Sequence, residues 1–219
     1  MTEGRLHLLD RAALCYEQAG LPLKAARCRE RAGEPAAAAR LYRAAGDLTQ
    51  AARCYERAGD TAQAAQCLLS LGRPEEAANL WLAARNPLEA AWILVVDARR
   101  PRRARDLLAE VNPTRLGVVL RRRIALALCA AAEGSVQPLV DALVETERRL
   151  ADVSPTSERA RVERWAVQAA DEVGRPDLAA QVFAASYRCG QRGVVERWRA
   201  WAVSALGGTA GIPDAEEGR

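Results

Sequence analysis

The chain is poor in histidine, lysine and aromatic residues, and these shortages limit the chemistry that it can carry out. Of its 32 lysine and arginine residues only Lys24 is a lysine, and His7 is the single histidine. Glycine-rich phosphate loops, GxSxG motifs and HExxH motifs are absent from the sequence. A catalytic base of the usual kind would have to be His7, which stands alone near the terminus. We therefore expect His7 on the surface, and we expect neither enzyme activity nor a cofactor.

Long hydrophobic runs are also missing from the sequence. The longest, Ile124–Ala132, has nine residues, whereas a helix that spans a bilayer needs about 20. The first ten residues mix polar and charged side chains and do not resemble a signal peptide. No segment alternates β-branched and polar residues as a strand would. These absences predict an all-α, cytoplasmic protein without a membrane segment.

The six cysteines do not follow a metal-binding or disulfide pattern. The sequence has no CxxC motif, and a single histidine cannot complete a usual zinc set. Four cysteines share one position of a repeat that leucine fills elsewhere: Cys15, Cys28, Cys54 and Cys67, against Leu41 and Leu80. We therefore predict small apolar core residues rather than metal ligands, with reduced thiols that suit the cytoplasm.

A period of 13 residues runs through the first hundred residues. Glycine recurs at this step from Gly20 to Gly72, and a pair of alanines keeps it from Ala12 and Ala13 to Ala90 and Ala91. Such a period is typical of stacked helical repeats. Each glycine suits the left-handed residue that ends a helix, and proline or an N-capping Asp47, Asp60 or Asn86 follows it. We predict helices near 4–19, 22–32, 35–45, 48–58, 61–71, 74–84 and 87–97.

The repeated segment resembles a known class of helical repeat. The pattern Ala-Ala-x-Cys-Tyr-Glu-x-Ala-Gly at residues 12–20 and 51–59 is similar to tetratricopeptide-like repeats, including those of vesicle-fusion attachment proteins and coatomer-type solenoids. The resemblance covers residues 9–98 and implies a right-handed α-solenoid of short antiparallel hairpins that repeat every 26 residues. Because the tetratricopeptide period is longer, the family's peptide-binding positions do not carry over. The resemblance implies a non-catalytic protein–protein interaction scaffold or adaptor. Such a protein can be a subunit of a bacterial multi-protein or ATPase-associated system.

Beyond residue 98 the period weakens and the helices lengthen. An eighth helix is predicted to about Val111, followed by helices at 114–133, 138–151, 156–173, 176–188 and 191–206. The last two are expected to form a capping hairpin that carries Phe183, Tyr187, Trp198 and Trp201. The sequence therefore predicts a short-helix section at 1–112, a longer-helix section at 113–206 and a disordered tail at 207–219.

Residues 26 apart should form columns on such a stack, and one pair of columns is basic. Arg27 with Arg53, and Arg31 with Arg57, predict a four-arginine patch. The patch could bind an acidic segment of another protein, or the chain's own Asp214, Glu216 and Glu217; the alternative is a solvated face moderated by Glu30 and Glu56. Trp92 stands in a mostly polar column, so an exposed interface tryptophan is expected there.

A second basic feature predicts an anion patch: Arg99, Arg100, Arg102, Arg103 and Arg105, with Arg121, Arg122 and Arg123 on a later helix. A nucleic-acid-binding regulator that uses this region is the alternative function. No aromatic residue interleaves with the run, which disfavours a single-strand binding platform. The abundance of arginine also fits a high-GC bacterial coding bias. We therefore favour a protein partner, and the sequence leaves the oligomeric state open.

Overall fold

The computed structural model describes residues 3–208 and residue 211, and the side chains from Leu6 onward. Regular structure in this part of the chain consists of thirteen α-helices and one 3₁₀ turn, without a strand. The all-α prediction is therefore confirmed. The chain forms two compact units, Met1–Ala98 and Arg99–Arg219. The sequence placed its own boundary one helix later, at residue 112, where the helices begin to lengthen.

The first unit contains seven short helices in a solenoid-like repeat, and each helix packs on the next in the chain. Every predicted helix of this unit is present, with ends within one residue of the prediction. The helices are α1 (Glu3–Gln18), α2 (Pro22–Ala32), α3 (Pro35–Ala44), α4 (Leu48–Arg57), α5 (Thr61–Ser70), α6 (Pro74–Ala83) and α7 (Pro87–Val96).

The turns between these helices confirm the predicted chemistry. All five periodic glycines have φ between +67° and +85°, the left-handed region where a side chain is strained. The Asp47 carboxylate accepts a hydrogen bond of 3.1 Å from the Gln50 amide, and Asp60 caps α5 in the same way. Arg85 replaces glycine at the sixth turn and keeps the left-handed conformation, with φ +57°. The thirteen-residue period is therefore a period of turn geometry.

The core of the first unit is built from small side chains. The alanine pairs from Ala25 and Ala26 to Ala90 and Ala91 are all buried, so the helices can approach closely. Tyr42 and Tyr55 fill the larger spaces between them. Because helices this short are marginal alone, the stack is stabilised mainly by these contacts between neighbours.

The second unit has longer helices and branched contacts. Its helices are α8 (Pro101–Ala109), α9 (Leu116–Ala132), α10 (Gln137–Arg149), α11 (Thr156–Glu172), α12 (Pro176–Arg188) and α13 (Val194–Leu206), with the 3₁₀ turn at Leu150–Asp152. Helix α9 packs on α8, α10 and α11, and α12 packs on α10, α11 and α13. Leu120, Ile124, Leu139 and Leu143 are fully buried among them.

The last hairpin carries an aromatic cluster. Phe183 lies edge to face with Trp198, their ring centroids 5.5 Å apart, and Trp201 lies 5.2 Å from Trp198. Helix α13 begins three residues later than predicted, because Gly193 takes a left-handed conformation with φ +70° immediately before it. Of the predicted tail, residues 209, 210 and 212–219 lie outside the described residues.

Candidate protein-interaction surface

Four exposed arginines of the first unit form a surface that we call the arginine face: Arg27 and Arg31 on α2, and Arg53 and Arg57 on α4. Helices α2 and α4 both pack on α3. A side-chain contact of 2.6 Å joins Arg57 of α4 to Glu30 of α2, so the two helices are neighbours. The four arginines therefore occupy equivalent positions of adjacent helices, in the arrangement that the 26-residue step predicts.

One arginine of this face is neutralised by a carboxylate between the two helices. Glu30 Oε1 accepts a hydrogen bond of 2.6 Å from Arg57, and Glu30 Oε2 accepts one of 3.1 Å from the Tyr42 hydroxyl. Burial, with the adjacent Glu30 carboxylate, raises the pKa of Tyr42 to about 12. The phenol therefore keeps its proton at neutral pH and remains a hydrogen-bond donor to Glu30.

The other three arginines of the face keep their charge uncompensated by close partners. Among the described residues, no ion pair or side-chain hydrogen bond involves Arg27, Arg31 or Arg53. Arg27 and Arg31 are four residues apart on α2, and like charges at this spacing repel by a few tenths of a kcal/mol, roughly. A negatively charged ligand would relieve that repulsion.

A groove continues the arginine face between α4 and α6. It has a volume of about 380 Å³ and is lined by Arg53 and Glu56 from α4 and by Asn79 from α6, over Leu68 of α5. Arg73, at its edge, is held by Glu76 through two hydrogen bonds of 2.6 Å. Sequence reasoning missed this groove, although Asn79 stands 26 residues after Arg53 and therefore lies in the same column.

The expectation that Trp92 is exposed is wrong, because its exposed fraction is only 6%. All residues of α7 from Ala90 to Val96 are buried. A helix that is hydrophobic on every side is typically buried, so the apolar composition of α7 was the better signal. Trp92 is therefore excluded as a surface anchor.

Arginines of the 99–123 region are largely engaged within their own unit. Arg99 lies 2.6 Å from Glu172, Arg105 forms an ion pair with Glu133, and Arg122 donates a hydrogen bond of 2.8 Å to a backbone oxygen.

Arg121 is buried, forms an ion pair with Glu158 and stacks on Trp165. Arg123 forms an ion pair with Glu145. Arg100, Arg102 and Arg103 are exposed on or beside α8. The structure thus divides the predicted anion patch, because carboxylates already neutralise several of its members.

The cysteines follow the core prediction only in part. Cys54 and Cys67 are 1% and 2% exposed, and burial raises the pKa of both thiols. Cys28 is half-buried and Cys15 is exposed, so the core prediction is wrong for Cys15. Helix α1 packs on α2, while the face of α1 that bears Cys15 remains open to solvent.

His7 lies exposed on α1, as expected from the sequence. Among the described residues, no group of three histidine, cysteine or acidic side chains is arranged to hold a metal ion. In the same part of the chain no helix is both long and apolar enough to cross a bilayer. Comparisons with protein-family models, curated proteins and solved structures found no match.

Proposed function

We propose that this chain is a non-catalytic adaptor whose tetratricopeptide-like repeats bind an acidic segment of another protein on the arginine face. One observation carries the proposal: Arg27, Arg31 and Arg53 are exposed on the neighbouring helices α2 and α4, and none of them forms an ion pair with a described residue. The six free thiols favour a reducing compartment such as the cytoplasm.

The type of partner follows from charge and shape. The three arginines stand at equivalent positions of the neighbouring helices α2 and α4, so a ligand with several carboxylates can contact them together. The groove beside Arg53 has an apolar floor at Leu68 and an amide at Asn79, which suits a polypeptide better than a free anion. Electrostatic complementarity of this kind raises association rates and gives specificity.

The test measures binding of a fluorescein-labelled oligoglutamate peptide by fluorescence anisotropy at low and high salt. Reversal of two charges, Arg27→Glu with Arg53→Glu, should weaken binding at low salt by about tenfold or more, since each lost contact with an exposed charge contributes up to about 1 kcal/mol. A matched control changes Arg11 and Arg40, exposed on α1 and α3, to glutamate and alters the net charge equally.

If both double variants weaken binding equally, the effect is due to net charge alone and the proposal is contradicted. Unchanged binding in the Arg27 and Arg53 variant would contradict it as well. Circular dichroism must show that both keep their helical content.

A chain that ends at Gly208 addresses the alternative ligand, the chain's own Asp214, Glu216 and Glu217. If those residues occupied the arginine face, their removal would tighten binding of the peptide.

A further inference from the structure

The repeat provides an internal comparison for the carboxylate of Glu30. Glu56 occupies the equivalent position one hairpin later, 26 residues on. The positions that correspond to Tyr42 and Arg57 are then Leu68 and Ala83, which offer neither a hydroxyl nor a guanidinium group. Glu56 accordingly lines the open groove, while Glu30 is held by both Tyr42 and Arg57.

Tyr42 fixes the direction in which the Glu30 carboxylate points. The tyrosine is 4% exposed, and its hydroxyl engages Glu30 Oε2 at 3.1 Å, so Oε1 is left to meet Arg57. The ion pair itself is accessible, with 32% of the Glu30 side chain and 54% of the Arg57 side chain exposed. Ion pairs this exposed contribute little stability to the fold, and a carboxylate from outside can reach Arg57 only by displacing Glu30.

We infer that Glu30 is a built-in carboxylate ligand of the arginine face, which occupies Arg57 and confines an acidic partner to Arg27, Arg31 and Arg53. This inference rests on the proposed function. Glu30 then limits affinity and sets the position of the bound segment along the solenoid-like stack. Tyr42 is a positioning residue, since it acts through Glu30 and not on the partner.

The experiment uses the labelled oligoglutamate peptide at low salt and compares Glu30→Gln with Glu56→Gln. Glutamine can still accept the hydrogen bond from Tyr42, and both variants remove one negative charge near the arginine face. Glu30→Gln should tighten binding by about two- to fivefold, because it also releases Arg57. Glu56→Gln should tighten binding less, since it releases no arginine.

A second arm examines Arg57. Arg57→Gln should change binding less than Arg53→Gln in the wild-type background, since Glu30 already occupies Arg57. Combined with Glu30→Gln, it should reduce the gain in affinity to that of Glu56→Gln, because only the loss of one negative charge then remains. Tyr42→Phe, which retains the ring but loses the donor, should give a smaller gain in the same direction.

The two proposals fail in different ways. If reversal of Arg27 and Arg53 leaves peptide binding unchanged, the proposed function is contradicted. If that reversal weakens binding but Glu30→Gln and Glu56→Gln tighten it equally, Glu30 acts only as a background charge and this inference alone is overturned. The same conclusion follows if the gain from Glu30→Gln persists in full when Arg57 is replaced by glutamine.

Discussion

Arg121 and Glu158 form an ion pair inside the second unit, 2.7 Å apart, with side chains only 5% and 14% exposed. Trp165 covers the guanidinium group, whose carbon lies 4.9 Å from the ring centroid. Loss of either charged partner from such a site is costly, because the other charge is left desolvated. The pair therefore constrains the helices α9 and α11 that carry it.

The first prediction concerns Gly117, which lies beside Glu158 of this pair. A Cβ atom added there would overlap the Cγ atom of Glu158. Replacement of a helical glycine by alanine usually stabilises by about 1 kcal/mol. Here Gly117→Ala should instead lower the free energy of unfolding by about 1–3 kcal/mol, the range for overpacked sites. A urea titration of the variant and the wild type measures this loss.

The control for this prediction is the same substitution in a Glu158→Ala background. That background removes the overlapping side chain, so Gly117→Ala should be neutral or stabilising there. Equal losses in both backgrounds would show that the glycine is needed for another reason than space for Glu158.

The turns provide a second prediction, because the sequence uses two residue types in one backbone conformation. Gly46 has φ +80° and Arg85 has φ +57°. Gly46→Val should destabilise by about 1–2 kcal/mol, since a β-branched residue is forced into the left-handed region. Arg85→Gly should stabilise by about 0.5 kcal/mol, the strain relieved less the added entropy of the unfolded chain. In thermal unfolding, Gly46→Val should lower the melting temperature and Arg85→Gly should raise it. Shifts of equal sign would refute the left-handed turn conformation at these two positions.

Thiol reactivity is the third prediction. Burial raises the pKa of Cys129 to about 11 and that of Cys54 and Cys67 above the ordinary value, whereas Cys15 is exposed. Because the thiolate is the reactive species, a disulfide reagent at mildly alkaline pH should modify Cys15 first and these three cysteines slowly. Peptide mapping by mass spectrometry identifies the sites, with Cys15→Ser as the control. Rapid modification of Cys54 in the folded protein would contradict its place in the core.

The first unit could be predicted closely from the sequence because each thirteen-residue segment carries its own turn chemistry. Gly46, Asp47 and the alanine pair that follows define the helix ends and the buried face without distant information. The same column logic failed at Trp92, since it assumed that every helix exposes the same face. Beyond Glu89, helix α7 is apolar on all sides, and it is buried along most of its length.

The second unit resisted such prediction because its decisive pairs are distant in the chain and do not repeat. Arg99 meets Glu172, 73 residues away, and Arg121 meets Glu158, 37 residues away. No spacing rule in the sequence predicts these partners. Several of the charges that suggested an anion patch are therefore balanced by carboxylates that sequence reasoning could not place beside them.

Alkaline pH supplies the fourth prediction. The Tyr42 pKa rises from 10.0 to about 12 on folding, because burial and Glu30 disfavour the phenolate. The unfolded chain therefore loses this proton first, and the stability due to Tyr42 is complete below about pH 10 and is lost as pH rises towards 12. Wild-type protein should lose stability over this interval more steeply than Tyr42→Phe. The exposed Tyr187 offers a matched control, and Tyr187→Phe should follow the wild type.

Nucleic-acid binding is the subject of the last prediction, because it separates the adaptor from the alternative regulator. Each phosphate contact adds about 0.9 to the slope of log affinity against log salt concentration for duplex DNA. Arg99, Arg105 and Arg121 are neutralised by carboxylates, so a labelled duplex should bind weakly, with a slope of about two or less. Glu172→Gln, which releases Arg99, should raise the slope by about one at most.

A wild-type slope of about five or more, lost when Arg100, Arg102 and Arg103 are changed to glutamate, would instead establish the α8 region as a nucleic-acid site. The oligoglutamate and DNA titrations use the same protein and buffers, so their salt dependences can be compared directly.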